Sequence, residues 1–186
     1  MNPLFTIHAG EFVFGEHVEK KFKSLRLWIP TKDTGVDFLI TSKDHRKVLA
    51  VQVKMSRDYR PQFSKTEYER VLRAAGWFVF SHKALEESKA DLWSLILIFH
   101  ERKSKPVFIN IPPKKLLEKL VDIHGEKPVY HLYPWVAQVD DGLVCIEGRG
   151  MKSSDKQMLS RGEFDSKRDL GVYYDDWAML ESLSLA

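Results

Sequence analysis

Three residues in one short stretch carry types suited to phosphodiester hydrolysis: Asp37, Gln52 and Lys54. A carboxylate such as Asp37 is a hard oxygen ligand for Mg²⁺. The amide oxygen of Gln52 supplies a second, neutral ligand, and a nearby backbone carbonyl, that of Val53, supplies a third. A cation so held polarises a phosphate and lowers the pKa of bound water. Lys54 places a positive charge beside that phosphate, where it orients water or stabilises the pentacoordinate transition state.

The elements around these residues must bring them together. Val36–Thr41 and Lys47–Met55 read as two strands joined by a polar turn over Lys43–Arg46. Side chains alternate along a strand, so Asp37, Leu39 and Thr41 are expected on one face. Gln52 and Lys54 likewise share a face, with Val51, Val53 and Met55 on the other. A Gln-x-Lys pair in an apolar strand is costly unless the polar groups have a purpose or partners. The hairpin brings the start of one strand near the end of the next, and so Asp37 near Gln52 and Lys54.

A helix is expected over Gly10–Leu25, with Phe14, Val18, Phe22 and Leu25 on one face. At about 100° per residue, Glu16 points away from that face and Glu19 lies at its shoulder. Glu16 is expected to pair with Lys20, and Glu19 has Lys23 four residues on. Downstream, Arg26–Pro30 reads as a short strand. Ser64–Ala75 reads as a helix, capped by Ser64 with Glu67 three residues later. Trp77–Phe80 is expected as a strand, Ala84–Lys89 as a helical turn, and Leu92–Phe99 and Val107–Ile111 as strands. A helix opens at Pro112–Pro113 and runs to about Ile123. Leu143–Ile146 reads as a strand and Asp175–Leu183 as a terminal helix. The expectation is an α/β domain with a three- to five-stranded mixed central sheet flanked by helices.

Asp37 followed by Gln52-Val53-Lys54 resembles the motif of the PD-(D/E)XK nuclease superfamily in its Gln-x-Lys variant. Gly15-x-x-x-Glu19 is similar to the first-helix signature of Holliday-junction resolvases and Mrr-type restriction enzymes. The resemblance spans roughly residues 10 to 100, about half of the chain. It implies a restriction-endonuclease-like fold with a core over 10–111 and residues 112–186 as an extension within one domain. It also implies a Mg²⁺-dependent endodeoxyribonuclease, with Mn²⁺ as a substitute ion, of the kind used in restriction, defence or repair. Glu19 then joins Asp37, Gln52 and Val53 at the metal. DNA is the expected partner, with RNA as the alternative, and a homodimer is compatible with cutting both strands. Two positions depart from the pattern. Val36 stands where the motif has proline, and Gln52 stands where it has an acid, removing one negative charge from the metal site.

Arg57, Tyr59 and Arg60 follow the motif directly and are candidates for gripping phosphates; the alternative is an ordinary solvated loop. Lys20, Lys21, Lys23 and Arg26 read as a solvated helix face. Arg149, Lys152, Lys156 and Arg161 lie in a glycine- and serine-rich segment that is a second candidate contact. The five tryptophans are scattered and are expected in the core.

Composition sets the remaining limits. The 186 residues fit one domain, and 44% apolar with 30% charged residues is a globular profile. A net charge of +3 means that nucleic-acid affinity must come from a local patch. A single cysteine, Cys145, excludes an internal disulfide and reads as a core residue, which fits a cytoplasmic protein. The seven histidines, His100 among them, show no metal-ligand spacing. No secretory signal and no membrane-spanning run is visible. Two other readings stay open: a catalytically inactive nucleic-acid-binding module, and a protein-interaction domain.

Overall fold

A computed structural model describes residues 9–32, 34–60, 65–98, 105–140 and 142–185. It is a mixed α/β structure built on a five-stranded sheet. The chain opens with helix α1 (Ala9–Lys21), then strands β1 (Arg26–Trp28), β2 (Phe38–Thr41) and β3 (Val48–Arg57). These three strands form an antiparallel meander. The β2–β3 turn closes where Ser42 N–H donates to the Lys47 carbonyl at 3.1 Å, and His45 takes a left-handed φ of 61° within it. A crossover then carries α2 (Glu67–Val71), β4 (Leu72–Ala75), β5 (Phe78–Ser81) and α3 (His82–Glu86). It returns the chain to β6 (Leu92–Ile98), which pairs with β3 in parallel; β7 (Val107–Ile111) closes the sheet antiparallel to β6.

Alternation along β3 divides two cores. Val51 and Val53 face α1, where Phe14, Val18, Phe22 and Leu25 are buried as their spacing predicts. Here the apolar face of the helix covers the apolar face of the sheet. The opposite face of β6, through Trp93, Leu95 and Leu97, packs on Leu85 of α3 and on Leu116 and Leu120 of α4 (Pro113–His124). The sheet is therefore sandwiched between helices.

Two smaller sheets account for what the sequence left unassigned. Strand β8 (Val129–Leu132) pairs with β5, while β9 (Pro134–Val139) pairs with β4 on one side and β10 (Gly142–Glu147) on the other. Helices α5 (Ser153–Leu159) and α6 (Ala178–Ser184) follow. Residues after 111 are thus woven into the crossover. They also reach the α1 side, where Trp177, Leu180 and Leu183 complete the core around Phe14 and Phe108.

The first helix stops at Lys21, short of the expected Leu25, and the largest departure lies in the crossover. The helix expected over Ser64–Ala75 is reduced to Glu67–Val71, and Leu72–Ala75 is a strand. Leu72, Ala74 and Ala75 are buried while Arg73 is exposed, and the segment pairs with β9 through an irregularity between Leu72 and Ala74. Tertiary pairing here outweighs the helical preference of an alanine-rich segment. The cap also moves. Glu69, rather than Glu67, accepts from the N–H groups of Lys65 (2.6 Å) and Thr66 (2.9 Å). Ser64, like Phe99 and His100, lies outside the described residues. Among the described residues, no helix is long and apolar enough to cross a membrane.

Candidate functional site

Asp37 stands one residue before β2, at the point where the meander opens. Its backbone N–H donates to the Val51 carbonyl at 2.9 Å, and its Oδ2 accepts from Val53 N–H at 2.6 Å. The carboxylate therefore takes the place of the ladder partner that β2 would have supplied had it begun earlier. A residue in a strand turns its N–H and its C=O toward the same neighbour. The Val53 carbonyl is accordingly directed to the same open edge.

The expectation that Asp37 shares a regular strand face with Leu39 and Thr41 needs correction. Val36 packs in the α4-side core and Phe38 in the α1-side core, although they are two residues apart. Alternation is broken at Asp37. The result aims the carboxylate at the β3 backbone, in the plane of the sheet, beside Gln52.

Gln52 and Lys54 are half-buried on the face opposite α1. Gln52, but neither Asp37 nor Lys54, lines a cleft of about 370 Å³, with Thr34 and Gly35 on one side and Ser81, Lys83, Glu87 and Lys89 on the other. Gly35 holds a left-handed φ of 77°, and a Cβ there would sit 3.9 Å from the Gln52 amide nitrogen. Ser81 caps α3, its hydroxyl accepting from Ala84 N–H at 3.1 Å. Among the described residues, neither the Gln52 amide nor the Lys54 amine has a hydrogen-bond or ion-pair partner. A half-buried amide and ammonium left in this way can engage a ligand.

Comparison with known proteins returns no matching family model, curated protein or solved structure.

The remaining candidates are distributed as follows. Glu19 is exposed on α1, the helix packed on the other face of β3, and it does not line the Gln52 cleft. Glu16 pairs with Lys20 at 2.7 Å on the surface. Arg57 is exposed, with its guanidinium 4.8 Å from the centre of the Tyr59 ring. Arg60 donates from Nε to Asp58 at 2.6 Å. Among the described residues there is no group of three or more His, Cys, Asp or Glu side chains placed to hold a metal. Cys145 is buried, and burial pushes its thiol well above the usual range, as expected of a core residue.

The sequence reading missed two contributions. Lys83 and Lys89 reach the cleft because α3 follows β5, and no local motif marks them. Of the tryptophans expected in the core, Trp93 and Trp177 are each 2% exposed, but Trp28 is 52% and Trp77 42% exposed. A surface aromatic and a core aromatic look alike in composition, so only the fold separates them.

Proposed function

We propose that this chain is a metal-dependent nuclease of the PD-(D/E)XK type that hydrolyses DNA. The observation that carries the reading is the Asp37 carboxylate bound to Val53 N–H beside an unpartnered Gln52 and Lys54. The order of helix, three antiparallel strands, crossover and parallel strand supports it, since it agrees with the core that the sequence motif implies. The donors present fit a hard cation: the Asp37 carboxylate, the Gln52 amide oxygen and the Val53 carbonyl are all oxygen ligands. When bound there, Mg²⁺ or Mn²⁺ would supply Lewis acidity toward a phosphate and a more acidic water. Glu19 is assigned a supplementary part, because its helix lies on the other side of the sheet.

The chain's own groups then divide the work. Asp37 fixes charge at the open edge of the sheet. Lys54, on the face of Gln52, offers its ammonium to the scissile phosphate and to the charge that grows on it. Lys89 supplies positive charge across the cleft for the backbone of the strand, where Lys83 is paired with Glu87 at 3.8 Å.

A second reading, a nucleic-acid-binding module without cutting activity, is favoured by the neutral Gln52 and by the lack of a three-acid cluster among the described residues. Incubation of the purified chain with plasmid, linear and single-stranded DNA, and with RNA, decides between them. Cutting that requires Mg²⁺ or Mn²⁺, stops with EDTA and is lost in Asp37→Ala and Lys54→Ala supports the enzyme. Salt-sensitive binding without cutting supports the silent module. Neither binding nor cutting removes both.

A further inference from the structure

Strand β3 does not end at Lys54. Gln52, Lys54 and Ser56 follow at alternate positions on one face, and Ser56 is buried. Its hydroxyl accepts from Trp77 N–H at 2.9 Å, while Trp77 immediately precedes β5. At the other end of β5, Ser81 lines the cleft of Gln52. Trp77 is thus anchored about 7 Å beyond Lys54 along the strand, on the same face.

A second cavity opens there, of about 290 Å³, lined by Tyr59, Ala75, Gly76, Trp77, Tyr133 and Trp135. Its walls are almost wholly aromatic and its floor is small. Gly76 is required: a Cβ would fall 2.2 Å from Leu97 and 3.2 Å from Pro134. Trp77 stacks on His131 at 6.1 Å with an 11° interplanar angle, and its Nε1 donates to His131 Nδ1 at 3.2 Å. Tyr59 and Tyr133 meet it edge-on at 5.7 and 6.5 Å. Trp135 is held at the back between Tyr68, stacked at 5.8 Å, and Gly148, where a Cβ would be 2.3 Å from the indole. The rings are therefore fixed by neighbours rather than collapsed on each other.

Two guanidinium groups stand over the rings of this cavity, while the nearby Asp58 carboxylate is occupied by Arg60 and by the Ala75 N–H. Arg57 lies 4.8 Å from the Tyr59 ring centre and Arg149 6.0 Å from that of Tyr133. No acidic side chain lines the cavity among the described residues. Nearby Glu147 is fully buried, its carboxylate accepting from the N–H groups of Tyr133 and Arg149. A methylated ammonium would need rings and acids. Rings with guanidinium groups instead suit a flat heterocycle bearing a phosphate.

We propose that this cavity receives one unpaired nucleobase of the bound strand, stacked on Trp77 with the Tyr59 ring across its edge, and with Arg57 and Arg149 on its phosphates. The size fits a base rather than a larger ligand, and a base still paired in a duplex could not enter. This deepens the nuclease reading by naming its substrate as a strand with an unpaired or extruded base. It rests on that reading for nucleic acid as the partner, but not for cutting.

The test uses the full chain in EDTA and a single-stranded oligodeoxynucleotide carrying one 2-aminopurine. Binding is followed by anisotropy and stacking by quenching of the 2-aminopurine emission. The wild type should bind and quench, and more strongly than with the same base paired in a duplex. Trp77→Ala should bind about tenfold more weakly and lose the quench. Arg57→Ala should weaken binding and lower the salt slope by about one. If Trp77→Ala does not fold, Trp77→Leu, which keeps apolar bulk but no ring, serves as the same test. Absence of oligonucleotide binding, an undiminished quench in the folded variants, or displacement of the strand by tetramethylammonium would overturn the proposal. The two readings fail separately. Binding and quenching by a chain that never cuts leaves the cavity standing without the nuclease, and cutting without any quench does the reverse.

Discussion

Replacing Asp37 by asparagine separates its bonding from its charge. Oδ2 accepts from Val53 N–H at 2.6 Å, and an asparagine keeps an oxygen at that position. A hydrogen bond to a charged group contributes about 1.5–3 kcal/mol, and one between neutral groups about 0.5–1.5 kcal/mol. The expected loss in Asp37→Asn is therefore about 1 kcal/mol, or roughly 2–4 °C in Tm for a chain of this size. Asp37→Ala also strands the Val53 N–H and should cost about 1–3 kcal/mol. Cleavage should not follow this order. Both variants remove the single carboxylate of the proposed metal site, so single-turnover cutting should fall by at least about 100-fold in each, close to 2.7 kcal/mol in barrier. Thermal melts and cleavage of the same preparations give both quantities. An asparagine variant that melts within a few degrees of wild type and cuts at the wild-type rate would refute the catalytic assignment. One that unfolds as readily as alanine would refute the bonding argument.

Gln52→Glu adds a second carboxylate beside Asp37 and should tighten Mg²⁺ binding; calorimetry showing no metal binding in either form would count against the site. His17 predicts a pH effect. Burial, with smaller contributions from Lys21 and Lys20 that outweigh the pull of Asp175, lowers its pKa from 6.5, and its Nε2 is buried without a partner among the described residues. The unfolded chain then binds more protons, so the stability contribution is complete above 6.5 and is lost as pH falls through the lower folded value. Melts from about pH 8 to about pH 5 should decline, and less steeply in His17→Phe, which keeps a ring against Trp177. Gly148→Ala would force a methyl into the Trp135 indole and should cost about 1–3 kcal/mol, read as a lower Tm.

The parts of the fold legible in the sequence are those where one periodicity dominates. Phe14 and Val18 announce a helix face and lie buried on α1, while Phe22 and Leu25, expected on the same helix, are buried just past its end. Strands β6 and β7 and helix α4 fall near their expected bounds, because an apolar run between turn signals, or a proline pair before an amphipathic stretch, has few alternatives. Leu72–Ala75 misled because its strand pairing exists only once β9 lies beside it, more than sixty positions later. The same holds for β8, β9 and α5, whose burial is shared among distant segments. The candidate site was legible as residue types and as their placement on neighbouring strands. Its geometry was not, because the break in alternation at Asp37 is dictated by the two cores claiming Val36 and Phe38.

That break explains why a polar site can exist within so apolar a strand. Pairing fixes the register of β3 on both sides, with Phe38 opposite Val51 and Leu92 alongside it. Slipping by one residue would place Gln52 and Lys54 under α1 and push Val51 and Val53 outward, so the burial of Val51 and Val53 holds the polar side chains in place. Were β2 to begin one turn of the pleat earlier, a backbone carbonyl would satisfy Val53 N–H and the Asp37 carboxylate would have no reason to sit at the sheet edge. Asp37 thus stands where the β2–β3 ladder stops, with Gln52 and Lys54 at alternate positions of the adjoining strand. The same strand, two residues on, uses Ser56 to anchor Trp77. The proposed cutting centre and the proposed base cavity are therefore coupled through register and separable by side chain. Substitutions that disturb β3 pairing should lose both, whereas Lys54→Ala and Trp77→Ala should each remove one.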